Sequence, residues 1–88
     1  MKIAFDETKR RINFDRRGLD FRDALKVFAG TTRTLVDDRI DYGEERLITY
    51  GYLDGRAVVL VHVSRGDTVR VVSMRHAHQK EIERAGLE

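Results

Sequence analysis

The sequence predicts an α+β domain in which an antiparallel sheet carries an N-terminal helical hairpin on one face and a short C-terminal helix. Apolar residues recur with a helical period through about residue 30 and then alternate, which marks a change from helices to strands. Strong turn sequences, "DG" at 54–55 and "RGD" at 65–67, then separate successive alternating segments. The 88 residues suit a single domain, 1–88.

The first elements are a short strand and a helix. "KIAF" (2–5) predicts a strand at an edge of the sheet. Asp6 is a favourable N-cap, so a helix is expected from there to Arg17, and Gly18 is the expected stop. Ile12 is the main residue of this polar helix that we expect to be buried.

A second helix follows directly, and the short connection at Gly18–Leu19 makes the two helices a hairpin. Asp20 can cap the second helix, and Gly30 ends it. Its apolar residues follow the spacing of one helical face and are Phe21, Ala24, Leu25 and Phe28.

Four strands and a final helix account for the rest of the chain. The strands are "TRTLVD" (32–37), "ERLITYGYL" (45–53), "RAVVLVHVS" (56–64) and "TVRVVSMRH" (68–76), with 38–44 as a loop. The third of these is apolar on both faces except for His62, as expected of a covered central strand. "AHQKEIERAGLE" (77–88) predicts a terminal helix that ends near Gly86. The order is therefore β-α-α-β-β-β-β-α.

Composition excludes several classes of protein. The chain has no cysteine, so it has neither disulfide bonds nor thiolate chemistry. No apolar run approaches the ~20 residues of a membrane helix, and the N-terminus lacks the apolar core of a signal peptide. We therefore expect a soluble cytoplasmic protein. The net charge is only +2, but 13 of the 17 cationic residues are arginine, whose planar fork binds phosphate through two hydrogen bonds.

The turn at 65–67 decides which side chains of the last two strands share a face, because a shift of one residue moves every side chain across the sheet. A two-residue turn at Gly66–Asp67 suits the preference for glycine at the first central position. It pairs Arg65 with Thr68, His62 with Val71, and Leu60 with Ser73, and it sets Arg75 opposite Val58.

This register predicts an apolar face and a polar face. The apolar face, expected to meet the helices, carries Val59, Val61, Val63, Val72 and Met74, with Arg70 at its rim. The opposite face brings His62, Ser73 and Arg75 together among Val58, Leu60 and Val71. A three-residue turn would instead put His62 beside Arg70.

The polar face suits metal-independent cleavage of RNA. RNA carries its own nucleophile, the 2′-OH, so the protein needs only to move protons and to stabilise charge on the phosphoryl group. We assign phosphate binding to Arg65, Arg70 and Arg75, and hydrogen-bonded positioning to Ser73. His62 or Glu45 is the expected proton acceptor. Arg46 and His76 are expected to contact RNA, and no metal or cofactor is expected.

Other interpretations stay open at this stage. A single histidine on a strand is most often structural or solvated, and His76 and His78 can simply flank the last helix. No Ser-His-Asp order supports hydrolase chemistry at Ser73. The same basic face also suits a non-catalytic module that binds nucleic acid or an acidic protein, with salt-sensitive binding and no strand cleavage.

Three segments resemble the BrnT family of bacterial toxins. They are "FDETKRRINFDRRGLDFRDALKVFAG", "GEERLITYGYLDGRAVVLVHVSRGD" and "VRVVSMRHAHQKEIER", which together cover almost the whole chain in order. The resemblance implies a RelE-like two-layer fold and ribonuclease toxin activity. It also implies a BrnA-like antitoxin, a ribbon-helix-helix DNA-binding protein that forms a hetero-oligomer with the toxin and represses their operon.

The chain departs from the family pattern at several positions. It has no tryptophan, Met74 replaces a common alanine, and the terminal "AGLE" lacks an aromatic residue. Arg17 stands where many members have histidine, and we expect it to bind phosphate. The residues that match the family's recurring polar pattern are Glu45, Arg46, Arg65, Arg70, Ser73 and Arg75.

Overall fold

A computed structural model describes residues 1–39, 41 and 43–87 of the chain. It is an α+β structure with a five-stranded mixed sheet and three α-helices. The strands are β1 (Lys2–Phe5), β2 (Arg33–Asp37), β3 (Arg46–Leu53), β4 (Arg56–Arg65) and β5 (Thr68–His76). The helices are α1 (Glu7–Arg17), α2 (Ala24–Phe28) and α3 (Gln79–Ala85), and a 3-10 helix at Phe21–Asp23 precedes α2. Positions 40 and 42 of the predicted loop and position 88 of the predicted last helix lie outside the described residues.

The strand order is β1-β5-β4-β3-β2, so β4 is central and β1 lies at an edge, as predicted. The prediction of a wholly antiparallel sheet is wrong, because β1 pairs with β5 in parallel. The other three pairings are antiparallel. Asp54 and Gly55 both have positive φ, 51° and 80°, as a tight turn between β3 and β4 requires.

The first helix has the predicted ends but a different buried residue. The Asp6 carboxylate accepts a hydrogen bond from the Lys9 backbone N–H, and Gly18 ends the helix at φ 69°. Ile12 was expected in the core, yet it is 45% exposed, while Asn13 is 8% exposed. The reason lies at the edge of β5, where the Asn13 side chain accepts a hydrogen bond from the Met74 backbone N–H at 3.4 Å.

The predicted second helix is divided into two short pieces. Asp20 caps the 3-10 turn by accepting a hydrogen bond from the Arg22 backbone N–H at 2.9 Å. Leu25, predicted on the apolar face, is 48% exposed, and Val27 is fully buried instead. The short 3-10 turn changes the phase of the helix, so the side chains after it rotate relative to a continuous α-helix.

One hydrophobic core lies between the sheet and the segment that runs from Leu19 through α2. It consists of Leu19, Phe21, Ala24, Val27, Leu53, Val58, Leu60, Val71 and Met74. Gly51 belongs to the same face, because a Cβ built there would lie 2.8 Å from the Val27 side chain. The close approach of α2 to β3 therefore requires glycine at this position.

A β-bulge in β5 changes which residues of β4 share a face with Ser73, Met74 and Arg75. The pairs Arg65 with Thr68 and His62 with Val71 are as predicted, but Val61 then pairs with Ser73. Val72 is the extra residue, so the alternation of β5 shifts by one position beyond it. Leu60 lies opposite Met74 and Val59 lies opposite Arg75, where Ser73 and Val58 were predicted.

The core face is accordingly the one with Val58 and Leu60, not the one with Val59 and Val61. Ser73 and Arg75 share their face with Val59 and Val61, as their pairing shows. We call this side of the sheet the open face. The last helix, α3, reaches this side through Glu81, which bonds to Arg75. Within the described ranges, no helix is long and apolar enough to cross a membrane.

Candidate active site

Two rows of paired residues cross the open face from β2 to β5. The first is Arg33, Tyr50, Val59 and Arg75, and the second is Leu35, Ile48, Val61 and Ser73. Each row is apolar in the middle of the sheet and ends in a hydrogen-bonding side chain on β5. The open face thus offers an apolar floor beside polar groups, the composition expected of a binding site for an organic ligand.

A groove of about 360 Å³ lies over these rows, and we call it the sheet groove. It is lined by Arg17, Arg39, Ile48, Tyr50, Val59, Val61, Ser73, Arg75 and Glu81. Three guanidinium groups and one carboxylate lie among these residues, and the Asp37 carboxylate is paired with Arg39, so one positive charge remains in excess. Anions are therefore attracted to the groove.

Arg75 is held in the groove by Glu81 of α3. Its Nη1 and Nη2 donate hydrogen bonds to the two Glu81 carboxylate oxygens at 2.8 and 2.7 Å. Nη1 also donates to the backbone carbonyl of His76 at 3.2 Å. The hydrogen bonds from Arg75 lower the pKa of Glu81 from 4.5 to about 2, so this carboxylate stays ionised and is a weak base at neutral pH.

Arg17 and Arg39 enter the groove from other parts of the chain. Arg17, the last residue of α1, donates a long hydrogen bond of 3.5 Å from Nη1 to the Met74 carbonyl. Arg39 follows β2, and its guanidinium donates to both oxygens of the Asp37 carboxylate at 2.7 and 2.9 Å. One arginine is therefore held only weakly, and the other is fixed by a buried carboxylate.

His62 does not lie with Ser73 and Arg75, and this part of the predicted site is wrong. It is 3% exposed and faces the helices, where its ring packs edge-on against Phe28 at 5.2 Å. Its Nε2 lies 2.7 Å from the Thr49 hydroxyl. Burial lowers the pKa of His62 below 6.5, which favours a neutral ring in the core. The bulge at Val72 explains the error, because beyond it Ser73 and Arg75 lie on the face opposite His62.

The remaining predicted residues are spread around the groove. Arg70 is exposed and pairs with Val63, on the open face beyond the bulge. Arg65, at the end of β4, donates a hydrogen bond to Glu44 at 2.8 Å. Glu45 is exposed just before β3, outside the groove lining.

Arg46 and His76 flank the groove at different ends. Arg46 begins β3 opposite Asp37, next to the row that contains Ile48. His76 is paired with Val58 on the core face, in a separate groove that it shares with Arg17. Among the described residues, no group of three or more His, Cys, Asp or Glu side chains could hold a metal ion.

The structure adds Arg39, Tyr50 and Glu81 to the predicted site. Arg39 lies in a segment interpreted as a loop, and Glu81 lies in the predicted terminal helix. Neither residue was a predicted site residue. Tyr50 lies in the strand predicted at 45–53, but it was not a predicted site residue. The sequence contained one usable signal: the alternation of β3 places residues 46, 48 and 50 on the same face.

Chemically, the groove can bind a phosphodiester and stabilise charge on it. Guanidinium groups bind phosphoryl oxygens by charge-assisted hydrogen bonds, which strengthen as negative charge develops. The hydroxyl groups of Ser73 and Tyr50 can donate or accept further hydrogen bonds. The floor formed by Ile48 and Val61 offers an apolar surface for a base.

Comparison with known proteins agrees with this chemistry. The family model described as "Ribonuclease toxin, BrnT, of type II toxin-antitoxin system" matches residues 5–81 of the 88. The match includes every strand except the first part of β1, and it includes the sheet groove. No curated protein matches the chain.

Proposed function

Because the chain belongs to the BrnT family of ribonuclease toxins of type II toxin–antitoxin systems, we propose that it cleaves RNA in the sheet groove without a metal ion. The observation that carries this proposal is the meeting of Arg17, Arg39 and Arg75 around one groove. Such a cluster can take the electrostatic role that a metal ion has in other nucleases.

In the proposed reaction the 2′-oxygen of RNA attacks the adjacent phosphorus, and the bond from phosphorus to the 5′-oxygen breaks. The 2′-OH loses its proton to a base, and the leaving 5′-oxygen takes up a proton from solvent water. The products are a 2′,3′-cyclic phosphate and a 5′-hydroxyl end. Arg75 and Arg17 hold the non-bridging oxygens and stabilise the charge that develops on them. Ser73 orients the same phosphate by a hydrogen bond.

We assign the proton acceptor to Glu45 rather than to His62 or Glu81. His62 lies on the core face, and Glu81 has a pKa of about 2 and is engaged by Arg75. Glu45 is exposed and stands beside Arg46 at the start of β3. Glu45 lies outside the groove lining, so the assignment requires RNA in the sheet groove to extend past Ile48 toward the start of β3.

Arg46, Arg65 and Arg70 are proposed to contact phosphates that flank the cleaved bond. Arg70 and Arg46 lie at the same end of the open face, one row beyond Ser73 and Ile48. Arg65 pairs with Glu44, and exposed ion pairs of this kind are worth roughly 0–1 kcal/mol, so a phosphate can replace the carboxylate. His76 is proposed to contact RNA from the neighbouring groove that it shares with Arg17.

A toxin of this type has a protein antitoxin as its partner. We propose that this partner is a BrnA-like ribbon-helix-helix protein that forms a hetero-oligomer with the chain and connects it to operator DNA. The resemblance of the sequence supports this assignment. The proposed site of action is the cytoplasm, where cleavage of RNA inhibits translation.

The test is cleavage of RNA by the purified protein, free of antitoxin, in the presence of excess chelator. Arg75→Ala is compared with Arg84→Ala, which removes the same charge from an exposed position on α3. Loss of one group that stabilises transition-state charge lowers the rate by roughly 10²–10³-fold, so we expect this for Arg75→Ala and a near-wild-type rate for Arg84→Ala.

Two results would count against the proposal. Cleavage that stops in chelator and returns with a divalent cation would contradict the metal-independent mechanism. Equal cleavage rates for folded Arg75→Ala and Arg84→Ala would contradict the placement of the site in the sheet groove. Product analysis should find 2′,3′-cyclic phosphate ends.

A further inference from the structure

We propose that RNA leaving the sheet groove continues into a second groove between α1 and β5, which holds the nucleotide next to the cleaved bond. We call this second cavity, of about 180 Å³, the helix groove. Its α1 side carries Lys9, Ile12, Arg16 and Arg17, and its strand side carries Val72 and Ser73. This inference rests on the proposed placement of the cleaved phosphate in the sheet groove.

The two grooves share two side chains. Arg17 and Ser73 line both the sheet groove and the helix groove. A phosphate bound by Ser73 and Arg17 therefore has one groove on either side. The sugar-phosphate chain of RNA is proposed to pass from one groove to the other past these two shared side chains.

The β-bulge explains why both grooves meet at Ser73. Val72 is the extra residue of β5, and its side chain lines the helix groove, whereas Ser73 lies at the boundary between the two. A regular strand would place Val72 and Ser73 on opposite faces of the sheet. The bulge turns both toward the line where α1 meets the strand.

One face of α1 forms the other wall of the helix groove. Lys9, Ile12 and Arg16 follow the spacing i, i+3, i+7, which places them on a single side of the helix. This arrangement puts an apolar side chain between two cations along about two turns. Its length and order suit a nucleotide, with the base against Ile12 and the phosphates near Lys9 and Arg16.

The cations of the helix groove are available to a ligand. Within the described part of the chain, Lys9 and Arg16 form no salt bridge, whereas Arg10 on the same helix is paired with Glu7 and Asp20. Arg17 makes only its long bond to the Met74 carbonyl. The groove therefore presents three positive charges that the described residues do not neutralise, together with an apolar floor.

Asn13 fixes the distance between the two walls. Its amide donates to the Leu19 carbonyl at 3.0 Å and its carbonyl oxygen accepts from the Met74 backbone N–H at 3.4 Å. The bond to Met74 ties α1 to the part of β5 that β1 leaves unpaired, because β1 pairs only with residues 68–71. The helix groove is thus a preformed feature of the fold, which limits the entropy lost when a ligand binds.

A single-stranded segment fits this groove better than a duplex. An exposed apolar side chain can contact an unpaired base, while a base in a duplex is stacked and hidden. The spacing of cations on both sides of Ile12 suits phosphates on both sides of one nucleotide. The ligand class is therefore single-stranded RNA with no requirement for a particular base.

The test measures binding of a fluorescent, fully 2′-O-methylated oligoribonucleotide, which has no nucleophile and stays intact. Affinity is followed by fluorescence anisotropy over a series of salt concentrations for Lys9→Ala, Arg16→Ala and Arg11→Ala. Arg11→Ala is the matched control, since this substitution removes one charge from the exposed surface of α1 outside the helix groove. For single strands, log K falls with log salt by about 0.7 per phosphate contact.

We expect this slope to decrease by about 0.7 in Lys9→Ala and again in Arg16→Ala, with Arg11→Ala unchanged. In cleavage assays on a long RNA, both groove variants should raise KM and leave kcat near the wild-type value. Equal slopes and affinities for Arg16→Ala and Arg11→Ala would overturn the inference. Normal RNA binding together with weakened antitoxin binding would also overturn it, because the groove would then serve a protein.

The binding experiment separates this inference from the proposed active site. It does not depend on cleavage, so loss of affinity in Arg16→Ala supports the helix groove even where Arg75→Ala keeps full activity. That result would move the cleaved phosphate out of the sheet groove but keep the helix groove as an RNA contact. Conversely, an inactive Arg75→Ala with a normal salt slope in Arg16→Ala would leave only the sheet groove in place.

Discussion

Arg75 and Glu81 form a two-pronged ion pair that joins the last strand to the last helix. Both guanidinium Nη atoms bond to the carboxylate, at 2.8 and 2.7 Å. The same carboxylate accepts a hydrogen bond from the His78 backbone N–H at 3.0 Å and so caps α3. One side chain thereby fixes both the start of α3 and the direction of the arginine in the sheet groove.

Stability is expected to fall in acid as Glu81 is protonated. Its folded pKa of about 2 lies below its ordinary value of 4.5, so its stabilising effect is complete above pH 4.5 and is lost as pH falls toward 2. In urea unfolding, Glu81→Gln should cost about 1 kcal/mol at pH 7 and less at pH 3. Glu83→Gln, on the same helix and exposed, is the control. Asp20 adds to the loss of stability in acid in the wild type and in both variants, since hydrogen bonds from Arg22 lower its pKa from 3.8 to about 2.

Glu81 is also expected to act in RNA cleavage through Arg75 alone. Glu81→Gln should slow cleavage by less than Arg75→Ala, because the guanidinium remains but loses its fixed orientation. In a protein that already carries Arg75→Ala, the same Glu81→Gln change should have no further effect on the rate. A double-mutant cycle measures this coupling. Additive effects of the two substitutions would contradict the idea that Glu81 serves only to orient Arg75.

His62 is expected to contribute to stability and not to catalysis. Its folded pKa is lowered by burial, so the unfolded chain binds the proton more readily, and stability is lost as pH falls below 6.5. His62→Leu should remove this pH dependence, and the Thr49 hydroxyl keeps its contact with Thr34 at 2.7 Å. The checks are urea midpoints from pH 7 to 5 and cleavage per folded molecule. A strongly reduced cleavage rate in a folded His62→Leu protein would show that our assignment is wrong.

Gly51 should not tolerate a methyl group. A Cβ at this position would lie 2.8 Å from the Val27 side chain and 3.1 Å from that of Thr32. Because Val27 is fully buried, we expect Gly51→Ala to destabilise the protein by about 1–3 kcal/mol. Gly30→Ala is the matched control, as its nearest atom lies at 3.7 Å and its φ is not positive. Chemical denaturation of the two variants compares them directly.

Replacing the polar residue Asn13 should destabilise the protein more than replacing the apolar residue Ile12. Asn13→Ala leaves the buried Leu19 carbonyl without the side-chain donor, at an expected cost of about 1–3 kcal/mol. Ile12→Ala removes a side chain that is 45% exposed, so its effect on urea unfolding should stay near 0.5 kcal/mol. If Ile12→Ala were the more destabilising substitution, the helix would be rotated relative to the structure.

Much of the fold could be predicted because its signals are local. Alternation and the turns at Asp54–Gly55 and Gly66–Asp67 predicted all four later strands to within a residue or two of their ends. The caps at Asp6 and Gly18 predicted the bounds of α1. Such features depend on a few neighbouring residues, whose preferences act whatever the rest of the chain does.

The pairing of β4 with the second half of β5 could not be predicted, because the bulge has no local signal. The run "VRVVSM" around Val72 contains neither glycine nor proline, and its sequence allows either register. The choice follows from tertiary packing, which buries Val71 and Met74 against the helices at the same time. An uninterrupted alternation cannot place both on one face, because they are three residues apart.

The candidate site was predicted in part for a similar reason. Ser73 and Arg75 were grouped correctly because they lie two apart in one strand. Arg17, Arg39 and Glu81 come from three distant segments, and only their packing against the sheet brings them to the same groove. The burial of Asn13 could not be predicted for the same reason, since its hydrogen-bond partner Met74 lies 61 residues further along the chain.

The residues that line the sheet groove lie far apart in the chain, so they are synthesised at different times. Its lining extends from Arg17 to Glu81, and the shared wall of the two grooves needs both α1 and β5. The ribosome makes the chain from its N-terminal end, so α1 leaves the exit tunnel before β5 and α3 do. The groove in which we propose that RNA is cleaved is therefore incomplete on the nascent chain until β5 and α3 have been made.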